Sequence, residues 1–174
     1  MPVPGVFADP SYPSDVENFA WRVPEKYIDP AECARVVDEV PQGYAIMGVS
    51  WSAHFQDACA AFGMETALIK MITEPEMFKA VIDRISDFYL RANEIFYKAT
   101  RGKIHAVLIG NDFGSQSNLM VSPEMLREFV FDGTKKLVEQ AKRYGLKVVH
   151  HSCGSIYGII PDLIDLGVDV IHPI

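Results

Sequence analysis

The chain has 174 residues, 49% of them apolar and 22% charged, with a formal net charge of −7. This is globular composition at single-domain length, long enough to bury a sizeable core and without disordered or collagen-like bias. The acidic balance and the lack of a basic stripe exclude nucleic acid as a partner, and no run approaches the roughly 18 apolar residues of a membrane span.

The opening segment, "MPVPGVFADPSYP", is too rich in proline and too poor in apolar run to be a secretory signal. Residues 1–41, with Pro2, Pro4, Pro10, Pro13, Pro24 and Pro30, predict an extended lead-in with turns. Within it a short helix is expected over 30–40, with Asp29 as N-cap, Pro30 in the first helical position and Pro41 as the stop. "GYAIMGVSW", residues 43–51, is short, apolar and partly β-branched, and predicts a buried strand. "HFQDACAAF" reads as a brief helix closed by Gly63, with a second helical piece over 65–71. Thr73 and Glu76 then form a capping-box pattern with Pro75 in the first turn. Behind it Phe78, Val81, Ile82, Ile85, Phe88, Ala92, Ile95, Phe96 and Ala99 recur at three and four, one apolar stripe on a long helix that Gly102 ends.

"IHAVLIG", residues 104–110, is the second predicted strand, and it runs into the polar loop "NDFGSQSN". Ser122 and Pro123 open the next helix with Glu124 in its first turn. Lys142 and Arg143 stand in its last turn, and Gly145 lies just beyond. "LKVVHH" is the third strand, residues 156–166 a helix closed by Gly167, and "VDVIHPI" the fourth strand. Apolar strands alternating with helices predict an α/β fold with a parallel sheet. A complete (β/α)8 barrel takes about 250 residues. Residues 42–174 therefore predict a partial TIM barrel of about four parallel strands with covering helices. An open four-stranded α/β sheet is the alternative. A last strand with no helix to cover it would leave a raw edge, which favours the barrel fragment.

In parallel α/β folds functional groups collect at the carboxyl ends of the strands. Here those ends read "SWSAH", "NDFGSQ", "HHSCG" and "HPI". They bring Trp51, Asn111, Asp112, Gln116, His150, His151, Cys153 and His172 to one expected pocket mouth. His151 and Cys153 are two apart, which puts both on one face of an extended strand end, whereas His150 points to the other face. Imidazole and thiolate are both zinc donors, but a catalytic zinc takes three protein ligands and one open position. The spacing alone leaves open a packed histidine beside an ordinary buried thiol. Asp112 reads either as a turn aspartate bonding its own backbone or as a carboxylate that orients a substrate or a metal-bound group. His54 and His105 read as structural or surface residues. Cys33, Cys59 and Cys153 are odd in number and widely spaced, so free thiols in a reducing cytoplasm are expected, the first two packed as small apolar groups.

From "GNDFGSQSNLMVSPEMLREFVFDG" through "YGLKVVHHSCGSIYGIIPDLIDLGVDVIHPI" the chain resembles the central part of the uroporphyrinogen decarboxylase superfamily, and the likeness extends back to about Tyr44. The resemblance implies a (β/α)8 barrel of about twice this length, of which the chain would be a fragment. Within the superfamily, His151 and Cys153 match the His-x-Cys pair that holds zinc in the corrinoid methyltransferases. The implied third protein ligand, a cysteine, would fall beyond Ile174. The resemblance thus implies zinc-dependent transfer of a methyl group from a corrinoid carried by a partner protein to a small-molecule thiol. Asp112 and Gln116 would orient the substrate or support the metal ligands, while Trp51, Asn111, His150 and His172 would bind substrate. The metal-free branch, which decarboxylates a tetrapyrrole in haem biosynthesis, would need a tyrosine shortly after the strand ending at Trp51, where this chain has Phe55 and Gln56. That branch remains the alternative, together with a half-barrel that is inactive alone or pairs with another copy.

Overall fold

The strand-forming runs become four short parallel strands in the order β1-β2-β3-β4: β1 (Met47–Trp51), β2 (Ala106–Gly110), β3 (Lys147–His151) and β4 (Val170–His172). They belong to a computed structural model that describes residues 5–9 and 12–173. Pro2, Pro4, Pro10 and Ile174 lie outside the described residues. The crossovers are helical: α3 (His54–Phe62), α4 (Met64–Thr73) and α5 (Pro75–Ala99) between β1 and β2; α6 (Pro123–Phe129) and α7 (Phe131–Arg143) between β2 and β3; α8 (Ile160–Asp165) before β4. The result is a partial (β/α)8 barrel, four strands with helices packed on one face.

Period-two alternation decides which side chains meet those helices. Val107, Ile109 and Val148 point at α5 and α7 and are buried with Tyr97, Leu137, Val138 and Ala141. The α5 stripe buries Phe78, Val81, Ile82 and Ile85 in a second cluster with Phe55, Phe62 and Phe129. The opposite sheet face is open: Met47, Val49, Trp51 and Val170 are 48%, 65%, 41% and 49% exposed. In a closed barrel that face lines the interior. Among the described residues no helix is long and apolar enough to cross a membrane.

Several boundaries differ from the sequence reading, each for a local reason. The lead-in is not simply extended: besides α2 (Pro30–Asp38) it holds α1 (Pro13–Asn18) and a 3-10 turn over Pro24–Lys26, each with proline at its start. The first strand begins at Met47 rather than at residue 43. The Ile46 amide donates to His105 Nδ1 at 3.1 Å, not across a ladder. The capping box fails because Thr73 Oγ1 donates back to Ile69 O at 3.1 Å, leaving Glu74 as N-cap of α5 with its carboxylate on Lys70 Nζ rather than on the helix amides. The single helix expected after Ser122 is broken at Val130 (φ −119°), whose carbonyl also accepts from His54 Nε2 at 3.1 Å. The backbone bonds through Val130 persist, so the interruption is a local distortion of the helix at Val130. The helix expected over 156–166 opens with a 3-10 turn, Tyr157–Ile159.

The loops leaving β2 and β3 are pressed together. The Gly114 amide donates to Cys153 O at 3.2 Å and the Ser155 amide to Ser115 O at 2.8 Å. A Cβ on Gly114 would stand 2.6 Å from the Gly154 carbonyl carbon, and one on Gly154 would stand 2.6 Å from Ser115 O. Gly154 also has φ +81°, which disfavours any L side chain. Both obstacles are backbone, so neither can swing aside. Gly154→Ala is expected to cost about 2–4 kcal/mol, the sum of left-handed strain and overpacking. Urea unfolding measures it, and a change within 0.5 kcal/mol would show that the loops are not clamped.

Candidate metal centre

Parallel strands emerge from a sheet on the same side, so the first residues after β2 and β3 are neighbours. Gly110 pairs with His151, and the Asn111 amide donates to His151 O at 3.0 Å. One residue further, Asp112 turns its carboxylate over the next loop, where Oδ1 accepts from the Cys153 amide at 2.8 Å. Oδ2 accepts from Gln56 Nε2 at 3.0 Å. The carboxylate is thus fixed from α3 on one side and from the β3 loop on the other.

Three donor atoms meet at this point. His151 Nε2 lies 3.3 Å from Cys153 Sγ and 3.5 Å from Asp112 Oδ1, and ligand atoms of all three residues lie within 4.8 Å of one another. Bonds of 2.0–2.3 Å to a tetrahedral divalent ion require donor separations of roughly 3.3–3.8 Å. Both separations made by His151 Nε2 fall in that window, so the residues fit a metal ion. A third potential donor, Asp112, thus lies within the chain; the cysteine expected beyond Ile174 falls outside it.

The electrostatics point the same way. Asp112 holds the Cys153 thiol above its ordinary pKa, chiefly by charge repulsion, with smaller contributions from burial and from a hydrogen bond to the same carboxylate. Two groups that disfavour each other as anions become compatible when a cation sits between them.

Two aromatic rings flank the His151 imidazole. The Trp51 ring lies 5.2 Å away at 38° and the His172 ring 5.2 Å away at 36°. His172 Nδ1 is 3.0 Å from His151 Nδ1. Trp51 reaches this place through a bulge in β1, where the register with β2 shifts between Val49 and Trp51. Trp51 and Ser52 follow one another at φ 39° and 47°, and the hydroxyls of Ser50 and Ser52 are tied to α5. Asn93 accepts from Ser50 Oγ and its Nδ2 donates to Ser52 Oγ at 3.3 Å.

Three of the residues expected at the mouth stand elsewhere. His150 is fully buried on the helix side, stacked 5.5 Å from Phe113, and cannot reach a substrate at the rim. Burial, with smaller repulsion from His54 and His151, pulls its pKa down to about 3. Asn111 is 2% exposed. Its Oδ1 accepts from the Phe55 amide at 2.9 Å and its Nδ2 stands 3.1 Å from His54 Nδ1, so its side chain joins α3 to the sheet. Gln116 is exposed on the loop; the amide that does meet Asp112 belongs to Gln56. The only sequence signal for Gln56 was its position five residues past the end of β1. His54 is buried, its Nε2 facing Val130 O, and desolvation lowers its pKa.

Residues 13–173 match the family model described as uroporphyrinogen decarboxylase (URO-D). Among solved structures the chain is similar to a methyltransferase from Methanosarcina mazei, with a TM-score of 0.59 and 18% identity. That alignment covers 80% of this chain and 39% of the methyltransferase, so the chain spans well under half of that protein's length. Among curated proteins no significant match is found.

Asp112→Asn keeps an oxygen for the Cys153 amide but removes the charge. In metal-free protein it should lower the thiol pKa and raise site-resolved alkylation of Cys153 by iodoacetamide at pH 8 about two- to fivefold. An unchanged rate would mean that the carboxylate does not govern the thiol. The buried imidazoles set an acid limit. A histidine whose pKa is depressed on folding binds its proton only when unfolded, so its contribution is complete above about pH 6.5 and is lost as pH falls toward 3. Replacing His150 with Phe should remove up to about 1.4 kcal/mol per pH unit from the slope of stability against pH in that window. Parallel curves for the two proteins would show that His150 titrates normally in the fold.

Proposed function

Because the chain belongs to the uroporphyrinogen decarboxylase family, we propose that it carries the metal-binding mouth of a zinc-dependent methyltransferase, which passes a methyl group from a corrinoid on a partner protein to a small-molecule thiol. The observation that carries this reading is the convergence of one nitrogen, one sulfur and one carboxylate oxygen, from His151, Cys153 and Asp112, at the strand ends. A mixed N/S/O set of borderline softness suits zinc better than magnesium or calcium, which take oxygen ligands. Zinc, when bound, removes the proton from a coordinated thiol at neutral pH and makes it a nucleophile.

The chain's own residues supply the rest. His151 and Cys153 hold the ion, and Asp112 adds charge while Gln56 prevents its carboxylate from rotating away. A zinc ion held by three protein donors would keep a position for a substrate sulfur. Trp51 walls one side and, at 41% exposure, offers an apolar face to the incoming methyl group. Substrate enters, and the corrinoid-bearing protein docks, at the carboxyl ends of the strands. A free, exposed Cys153 suits a reducing cytoplasm.

Metal analysis of the 174-residue chain after zinc loading and desalting should find about one zinc per chain, lost on Cys153→Ser and on His151→Ala. A chain that retains no zinc, from a protein that decarboxylates uroporphyrinogen without metal, would replace this reading with the metal-free one.

A further inference from the structure

His151 presents its two ring nitrogens to different neighbours. Nε2 faces the donor cluster, 3.3 Å from Cys153 Sγ and 3.5 Å from Asp112 Oδ1. Nδ1 faces away from it and stands 3.0 Å from His172 Nδ1. Two imidazole nitrogens at that distance share one proton: one ring donates and the other accepts. A histidine that gives the Nε2 lone pair to a metal is neutral and carries its proton on Nδ1. That proton points at His172, and no other acceptor for His151 Nδ1 is recorded among the described residues.

We propose that His172 is a positioning residue for His151, accepting its Nδ1–H and so keeping the Nε2 lone pair turned toward the metal. The inference rests on the metal reading above. It assigns His172 a different task from substrate binding, the role its place at a strand end first indicated.

The backbone delivers His172 to this spot. β3 and β4 pair with His151 opposite His172, and the Ser152 amide donates to His172 O at 3.0 Å. In a parallel pair, opposed residues put their side chains on the same face, so the two imidazoles meet. Trp51 stops the His151 ring on its far side. Trp51 limits rotation of the ring but cannot choose its tautomer, because an indole face bonds neither nitrogen strongly. Only an acceptor at Nδ1 makes that choice. His172 is itself exposed, so close packing does not dictate its identity, and the hydrogen bond is the specific interaction it makes with the cluster. His172 Nδ1 is directed at the ligand rather than at the cluster, which separates this role from direct ligation. Outer partners of this kind are typically worth 10–100-fold in metal affinity.

The test is competition for zinc between the 174-residue chain and a chromophoric chelator, with cobalt(II) absorption as a second readout. His172→Phe keeps a flat ring and removes the acceptor. It should weaken zinc binding about 10–100-fold while the metal-free protein keeps its far-UV dichroism and melting midpoint. His172→Asn restores an acceptor and should recover part of the loss. In the zinc-loaded wild type, nitrogen-15 shifts should place the His151 proton on Nδ1. Unchanged zinc affinity in His172→Phe, or a proton on Nε2 in the loaded wild type, overturns the assignment and leaves the metal site standing. A greater loss with an altered cobalt spectrum would make His172 a ligand and also overturn it. A wild-type chain that takes up no zinc removes both the metal reading and this inference.

Discussion

The site depends on the pairing of β2 with β3. With Gly110 opposite His151, the chain leaving β2 needs two residues to reach Asp112, and the chain leaving β3 needs two to reach Cys153. Parallel strands exit on one side, so the carboxylate and the thiol arrive at the same height. A register one residue different would send His151 toward the helices and His150 toward the open face, since a slip of one inverts every side chain. The close contact of Gly114 and Gly154 secures the arrangement above the sheet, where ladder hydrogen bonds no longer hold it.

Adjacent histidines show how much the face matters. His150 and His151 share a backbone and a sequence context, yet one lies in the core and the other at the cluster. Desolvation makes His150 a neutral core residue across the physiological range, so it supplies neither charge nor a mobile proton. His151, 15% exposed at its side chain, stays accessible to an ion. The strained pair Trp51–Ser52 belongs to the same logic. Left-handed backbone in non-glycine residues costs about 1–3 kcal/mol each and persists only where the surroundings enforce it. Here Asn93 on α5 ties the hydroxyls of the flanking Ser50 and Ser52, and an indole is placed against His151.

The α/β class, the strand order and the strand ends were legible because parallel strands are continuous apolar runs and the long helix repeats at three and four. The His151–Cys153 pair was legible because a spacing of two on an extended strand means one face. Details that depend on a distant partner were not. At the Val130 break the carbonyl meets His54, 76 residues away, and no local pattern announces it. The helix over Pro13–Asn18 was hidden because six residues are too few for a period, and its proline reads equally well as a turn. Asn111 and Gln116 were assigned to the mouth by proximity in sequence alone. Both are polar residues just past β2, but the first turns inward to cap the join with α3 and the second stays on an exposed loop. Gln56 was missed because an amide within a helix carries no chemical signature until its partner is known.

Asp112 dissolves a choice that the sequence posed as two alternatives. A turn aspartate that bonds backbone and a functional carboxylate seemed to be different residues. In the fold Asp112 does not bond its own turn: Oδ1 accepts from the Cys153 amide of the next loop and stands 3.5 Å from His151 Nε2. A carboxylate oxygen has two lone pairs, so holding the amide leaves one for the cluster. The backbone bond orients that remaining pair, and Gln56 at Oδ2 prevents the carboxylate from flipping. The structural role is therefore what makes the chemical one available. A carboxylate held at two points loses little further freedom when an ion arrives, and donors ordered in advance bind more tightly than donors that must first be arranged.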